Sequence, residues 1–169
     1  MNKKGEANTD PLDGTFERTL ALPTWTALTL HEGIAFCEFN ECNEKITRWY
    51  PSEGWNLRSQ DVELIRFNKM AKPEEVIPWL QGRGYVPIGL PELLSIGCHY
   101  PDEQRQGNII ALEAPKFDGL SYYPVLCGYP VWRSLDLWLY ILVAGGQEHL
   151  GGLLPANRFA VKKIAAVSR

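Results

Sequence analysis

Cys98 and His99 stand side by side with Asp102 and Glu103 just beyond them, and thiol, imidazole and carboxylate are the groups from which a nucleophilic site is assembled. Their spacing works against that use. On a helix, adjacent side chains diverge by about 100°, so Cys98 and His99 do not meet as nucleophile and base; Cys98 reads as core filler and His99 as a cation at a helix C-terminus. Gly145-Gly146 and Gly151-Gly152 flank Glu148 and His149, but neither a phosphate loop nor a dinucleotide fingerprint is present, so these glycines read as loop punctuation. The Cys37-x-x-x-x-Cys42 spacing is loose for zinc and has no second pair, and His31 is the nearest histidine. No spacing rule unites Glu113, Asp118 and Asp136 for acid–base work. No residue is assigned a catalytic role, and no metal or cofactor is expected.

A binding face has more support. Tyr129, Trp132, Arg133, Trp138 and Tyr140 are of the types that concentrate binding energy at interfaces, although Trp138 and Tyr140 share one face of a strand and core packing competes for them. Gln147, Glu148, His149 and Asn157 follow on the next loop. The expected ligand-contacting set is therefore Trp132, Arg133, Gln147, Glu148, His149 and Asn157, on loops spanning 128–157.

These residues need elements to hold them. Residues 1–14 are polar and turn-rich and read as a disordered tail; 15–60 form an aromatic-rich extension; 61–169 form the main domain. In the extension, Thr26–Leu30 and Ile34–Phe39 alternate in hydrophobicity around Glu32-Gly33, which predicts a β-hairpin. Val62–Phe67 predicts the opening strand of the core. Pro73-Glu74-Glu75 and Pro91-Glu92 each place proline and carboxylate where a helix starts. Pro78 shortens or kinks the first helix, and the second carries Leu93, Leu94, Ile96 and Gly97 inward and stops at Tyr100-Pro101. Ile109–Leu112, Tyr122–Cys127, a strand through Leu135–Val143 and Arg158–Lys162 then read as extended.

The order strand, two helices, several short strands with long loops and a closing strand resembles the C-type-lectin-like fold, within an α+β class. The chain is also similar to short uncharacterised bacterial proteins carrying Gly84-Tyr85-Val86-Pro87, Pro91-Glu92-Leu93-Leu94, Tyr100-Pro101-Asp102-Glu103-Gln104-Arg105, Tyr123-Pro124-Val125 and Arg158-Phe159-Ala160-Val161-Lys162. The resemblance implies pairing of the first and last strands of the main domain and a ligand face on the loops before the last strand. The Glu/Gln-Pro-Asn/Asp and Trp-Asn-Asp motifs of calcium-dependent lectins are missing, so calcium and sugar binding do not carry over.

A length of 169 residues, 45% hydrophobic and 22% charged, suits one packed domain. The net charge of -3 provides no global field for nucleic acid or anionic lipid. No apolar run reaches the roughly 20 residues of a membrane span, and no signal peptide is read at the N-terminus. A cytoplasmic protein with four reduced thiols and no structural disulfide is expected. The leading expectation is a non-catalytic recognition module for a protein or small ligand. A small hydrolase or transferase using His99 or His149 ranks second, and a structural subunit docking through Trp25–Trp55 third.

Overall fold

The computed structural model describes residues 12–26, 29–52, 55–69, 71–117, 119–139 and 157–164. Its elements run β1 (Gly14–Leu22), β2 (Trp25–Thr26), α1 (Leu30–Phe36), β3 (Glu41–Cys42), α2 (Glu44–Trp49), β4 (Asn56–Leu57), β5 (Gln60–Phe67), α3 (Pro73–Gln81), β6 (Tyr85–Pro87) and α4 (Leu90–His99). A 3-10 turn at Gln104–Gln106 leads to β7 (Ile109–Ala111), β8 (Lys116–Phe117), β9 (Leu120–Tyr129), β10 (Trp132–Leu139) and β11 (Arg158–Lys163). The class is α+β, with a large mixed sheet ordered β1-β5-β11-β7-β9-β10-β3; β6 pairs with the end of β11 from Val161 to Lys163, β8 pairs with β9, and β2 pairs with β4 separately. β5 and β11 lie antiparallel, with Ile65 opposite Phe159. β11 and β7 run parallel.

The sheet is covered on both faces, which explains why β7 and the middle of β9 read as continuous apolar runs. By the period of two, Val62, Leu64, Ile109, Leu126 and Ala160 pack against α1, α2 and α4. Ile65, Phe67, Ile110, Val125, Phe159 and Val161 pack on the other side with Val76 and Leu80 of α3. Both proline-led helices form where expected. Their first turns are closed by carboxylates: the Lys72 N–H donates to Glu75 at 3.0 Å and the Gly89 N–H to Glu92 at 3.2 Å.

The expected N-terminal hairpin is not there. Leu30–Phe36 is helical, and Glu32-Gly33 lies inside the helix rather than at a turn. The deciding signal is Thr29-x-x-Glu32: the Glu32 N–H donates to Thr29 Oγ1 at 3.1 Å, and that hydroxyl donates to the Glu32 carboxylate at 3.0 Å. A helix cap outweighs a short run of alternating hydrophobicity. β1 is an edge strand of the main sheet, paired with β5 from Gly14↔Phe67 to Leu22↔Gln60.

One end of the sheet is fastened by buried charge. The Arg158 side chain is 2% exposed and donates Nη1 to Glu103, itself 6% exposed, at 2.8 Å. Nη2 donates to the carbonyls of Glu103 and of Gly107, the latter at 2.9 Å. Arg18 pairs with the other oxygen of Glu103. The β1–β5 register slips between Phe16 and Arg18. The residue there, Glu17, approaches Arg66 Nε at 2.7 Å and Arg158 Nε at 3.9 Å, without hydrogen-bond alignment. Such a bulge re-aims a side chain.

Other residues of the Pro-Glu-Leu-Leu, Tyr-Pro-x-x-Gln-Arg and Arg-Phe-x-x-x-Lys runs also meet structural partners. Glu92 pairs with Lys162 at 2.8 Å, the Tyr100 hydroxyl donates to Ala21 O at 2.7 Å, and Gln104 Nε2 donates to Cys127 O at 2.8 Å. These positions hold the scaffold together.

Candidate functional site

The six residues expected to contact ligand do not form one exposed set. Trp132 opens β10 and is 42% exposed, next to Tyr129 at 69% and Val131 at 89%, so the hairpin tip does present apolar surface. Arg133 is a tether instead. Its Nη2 donates to Cys37 O at 2.9 Å and Gly97 O at 2.5 Å, at the C-terminal ends of α1 and α4, where a cation meets the negative end of the dipole. Asn157, expected on an open loop, is buried, and its Oδ1 accepts from Asn108 Nδ2 at 3.2 Å. Gln147, Glu148 and His149 lie outside the described residues, as do Asp118 and Tyr140. Trp138 packs against the core on the α3 side.

Among the described candidates for catalysis, His99 and Cys98 are occupied structurally. His99 Nδ1 sits 2.9 Å from Ser95 O and 3.3 Å from Ser95 Oγ, and Ser95 is fully buried. Burial raises the Cys98 thiol, against a smaller opposing effect of Arg133, so this thiol is less nucleophilic than a free one. Burial likewise pushes Cys42 up to about 11 and Cys127 up to about 12, with Asp136 adding to each. Among the described residues, no group of three or more His, Cys, Asp or Glu side chains could hold a metal ion.

The structure draws together a different set. A cleft of about 550 Å³ opens between the end of α2, the start of α4 and the segment after β7, and its walls include Trp49, Tyr50, Trp55, Pro91, Glu92 and Glu113. This size lies within the usual range of small-ligand sites, ~300–1,000 Å³.

Each wall residue is fixed by its neighbours. Trp49, in the last turn of α2, stacks on Phe117 with centroids 4.0 Å apart and meets Tyr122 edge-on at 4.7 Å. Tyr50 ends α2, its N–H donating to Ile46 O at 3.1 Å. The Trp55 indole donates to Pro51 O at 2.7 Å. The Glu113 N–H donates to Ile88 O at 3.1 Å, which draws its carboxylate to the start of α4. A Cβ at position 89 would lie 3.1 Å from Glu113 Oε2, so Gly89 permits the close approach.

The two carboxylates differ. Glu92 is buried and satisfied by the Gly89 N–H, by Gln60 Nε2 at 3.3 Å and by Lys162 at 2.8 Å. Glu113 is exposed and makes no ion pair among the described residues. Beside it the Tyr50 hydroxyl is shielded from water without a hydrogen-bond partner among the described residues; burial raises its pKa, and the Glu113 carboxylate raises it further. A buried polar group left unpaired is uncommon in a native structure.

The aromatic density of Trp25–Trp55 was the available signal for this cleft. Glu113 carried none, because its place beside Gly89 depends on the pairing of distant strands. No family model, no curated protein and no solved structure matches the chain significantly.

Proposed function

We propose that this protein is a non-catalytic recognition module and that its ligand seat is the cleft walled by Trp49, Tyr50, Trp55 and Glu113. The observation that carries the reading is a cavity of about 550 Å³ combining aromatic walls with, among the described residues, one uncompensated carboxylate. Convergent polar groups in a mainly apolar pocket are the usual make-up of a binding site. An enzyme using His99 has less support, since that imidazole is engaged by its own helix. A lectin-like layout is part of the proposal, supported by the β5–β11 pairing. So is a cytoplasmic setting, supported by four free thiols; none of the described helices is long and apolar enough to cross a membrane.

The test is a small-molecule screen on the whole chain, followed through the indole N–H resonances of assigned Trp49 and Trp55. Binding should move these two resonances and leave that of Trp132 in place. If every ligand found perturbs Trp132 alone, the cleft is not the seat.

The exposed trio Tyr129, Val131 and Trp132 favours a second reading, in which the loops from 128 onward dock a protein partner. Exposed clustered apolar side chains are the expected mark of such a surface. Replacing all three by serine should abolish capture of an identified partner, and undiminished capture would rule this reading out.

A further inference from the structure

We infer that the ligand of the cleft is an organic cation, an alkylammonium group seated among Trp49, Tyr50 and Trp55 with Glu113 as its counter-ion. The inference rests on the cleft being the binding site and goes on to name its chemistry. Three observations converge on it. The first is the wall itself: three aromatic rings line one cavity, and aromatic faces attract cations through their negative π-clouds, an attraction that strengthens when water is excluded.

The second is charge. Among the described residues, the charged side chains lining the cleft are Glu92 and Glu113, and Glu92 is neutralised by Lys162. Glu113 is left as the unbalanced charge, so an anion would meet repulsion and a cation would complete the pair. The third is a cation already present outside the cleft lining: the Lys45 ammonium sits 5.4 Å from the Trp49 ring centroid and 5.8 Å from that of Tyr122. Trp49, a wall of the cleft, thus already accepts one ammonium over its ring.

The unpartnered Tyr50 hydroxyl fits the same assignment. With burial and Glu113 both holding its proton in place, the ring stays a neutral phenol and adds no second negative charge to the wall. A monocation therefore suffices.

The experiment compares three probes of one shape on the full chain by calorimetry: choline, its neutral carbon isostere 3,3-dimethylbutan-1-ol, and the anion 3,3-dimethylbutanoate. The expected result is binding of choline about tenfold or more tighter than the alcohol, a margin typical of a cation–π seat with a counter-ion, and no binding of the carboxylate. Glu113→Gln, at an exposed position that should not disturb folding, removes most of the preference for choline and leaves the alcohol unchanged.

A peptide carrying trimethyllysine separates the two sources of an alkylammonium group. Tighter binding than choline places the group on a partner's side chain, and weaker binding places it on a free small molecule. Equal binding of choline and the alcohol overturns the cation while leaving the cleft as a binding site. Silence from all three probes also overturns it, and the small-molecule screen then decides the cleft reading separately.

Discussion

Glu103→Gln tests the buried charge that fastens β11 to the segment after α4. The substitution keeps size and one acceptor oxygen but removes the negative charge opposite an Arg158 side chain only 2% exposed. Arg158 would retain the carbonyls of Glu103 and Gly107 and the more distant Glu17 at 3.9 Å. Removing one partner of a buried ion pair costs about 3–5 kcal/mol, because the remaining charge stays desolvated. With one amide oxygen still accepting and Glu17 nearby, about 3 kcal/mol is expected.

That is a large share of the ~5–15 kcal/mol that stabilises a typical domain. Urea unfolding of both proteins at neutral pH, followed by far-ultraviolet circular dichroism, should show the midpoint fall with the slope unchanged. The double variant Glu103→Leu with Arg158→Met should not recover the loss, because it removes both charges but leaves the carbonyls of Glu103 and Gly107 without a donor, at about 1–3 kcal/mol each. A Glu103→Gln midpoint within ~0.5 kcal/mol of the parent, the range of an ordinary surface change, would refute the view that this pair is desolvated and bears on stability.

Three further outcomes are expected. Arg133→Ala removes a two-carbonyl clamp across the ends of α1 and α4 and should cost about 1.5–3 kcal/mol in urea unfolding, with Arg133→Lys restoring little because its ammonium lacks the guanidinium fork. Gly128→Ala would bring a Cβ to 2.5 Å from Gln104 O, a backbone atom that cannot swing aside, and should lower thermal stability by about 1–3 kcal/mol. The thiols of Cys42 and Cys127 are raised to about 11 and about 12, while the unfolded chain releases the same protons near pH 9. Both are protonated in either state below pH 9, so stability is intact there and falls as pH rises through about 9–12. Iodoacetamide should correspondingly modify them slowly in the native protein at pH 8 and fast in urea.

Local chemistry in the chain was enough to determine several elements. Proline followed by glutamate marked both α3 and α4, because an N-terminal proline and a carboxylate on the first free N–H groups act within four residues. The apolar runs within β7 and β9 were legible for a similar reason, since burial on both faces leaves no polar alternation to obscure them, while β5 and β11 stood out through their β-favouring Val, Ile and Phe. Thr29-x-x-Glu32 was equally local, and its cap outweighed the alternation that suggested a hairpin.

What tertiary structure alone decided is which side chains are spent on packing and which remain available. Arg133 has the composition of a binding hot spot, yet its guanidinium is consumed by carbonyls of residues 37 and 97. Asn157 closes a long loop in the sequence, yet it is buried against Asn108. Glu113 is an ordinary carboxylate after a strand until the chain folds Gly89 against it. Hydrophobic periodicity reports the face of an element, whereas a site depends on the meeting of residues far apart in the chain. Their proximity follows from strand order, and no local pattern encodes that order.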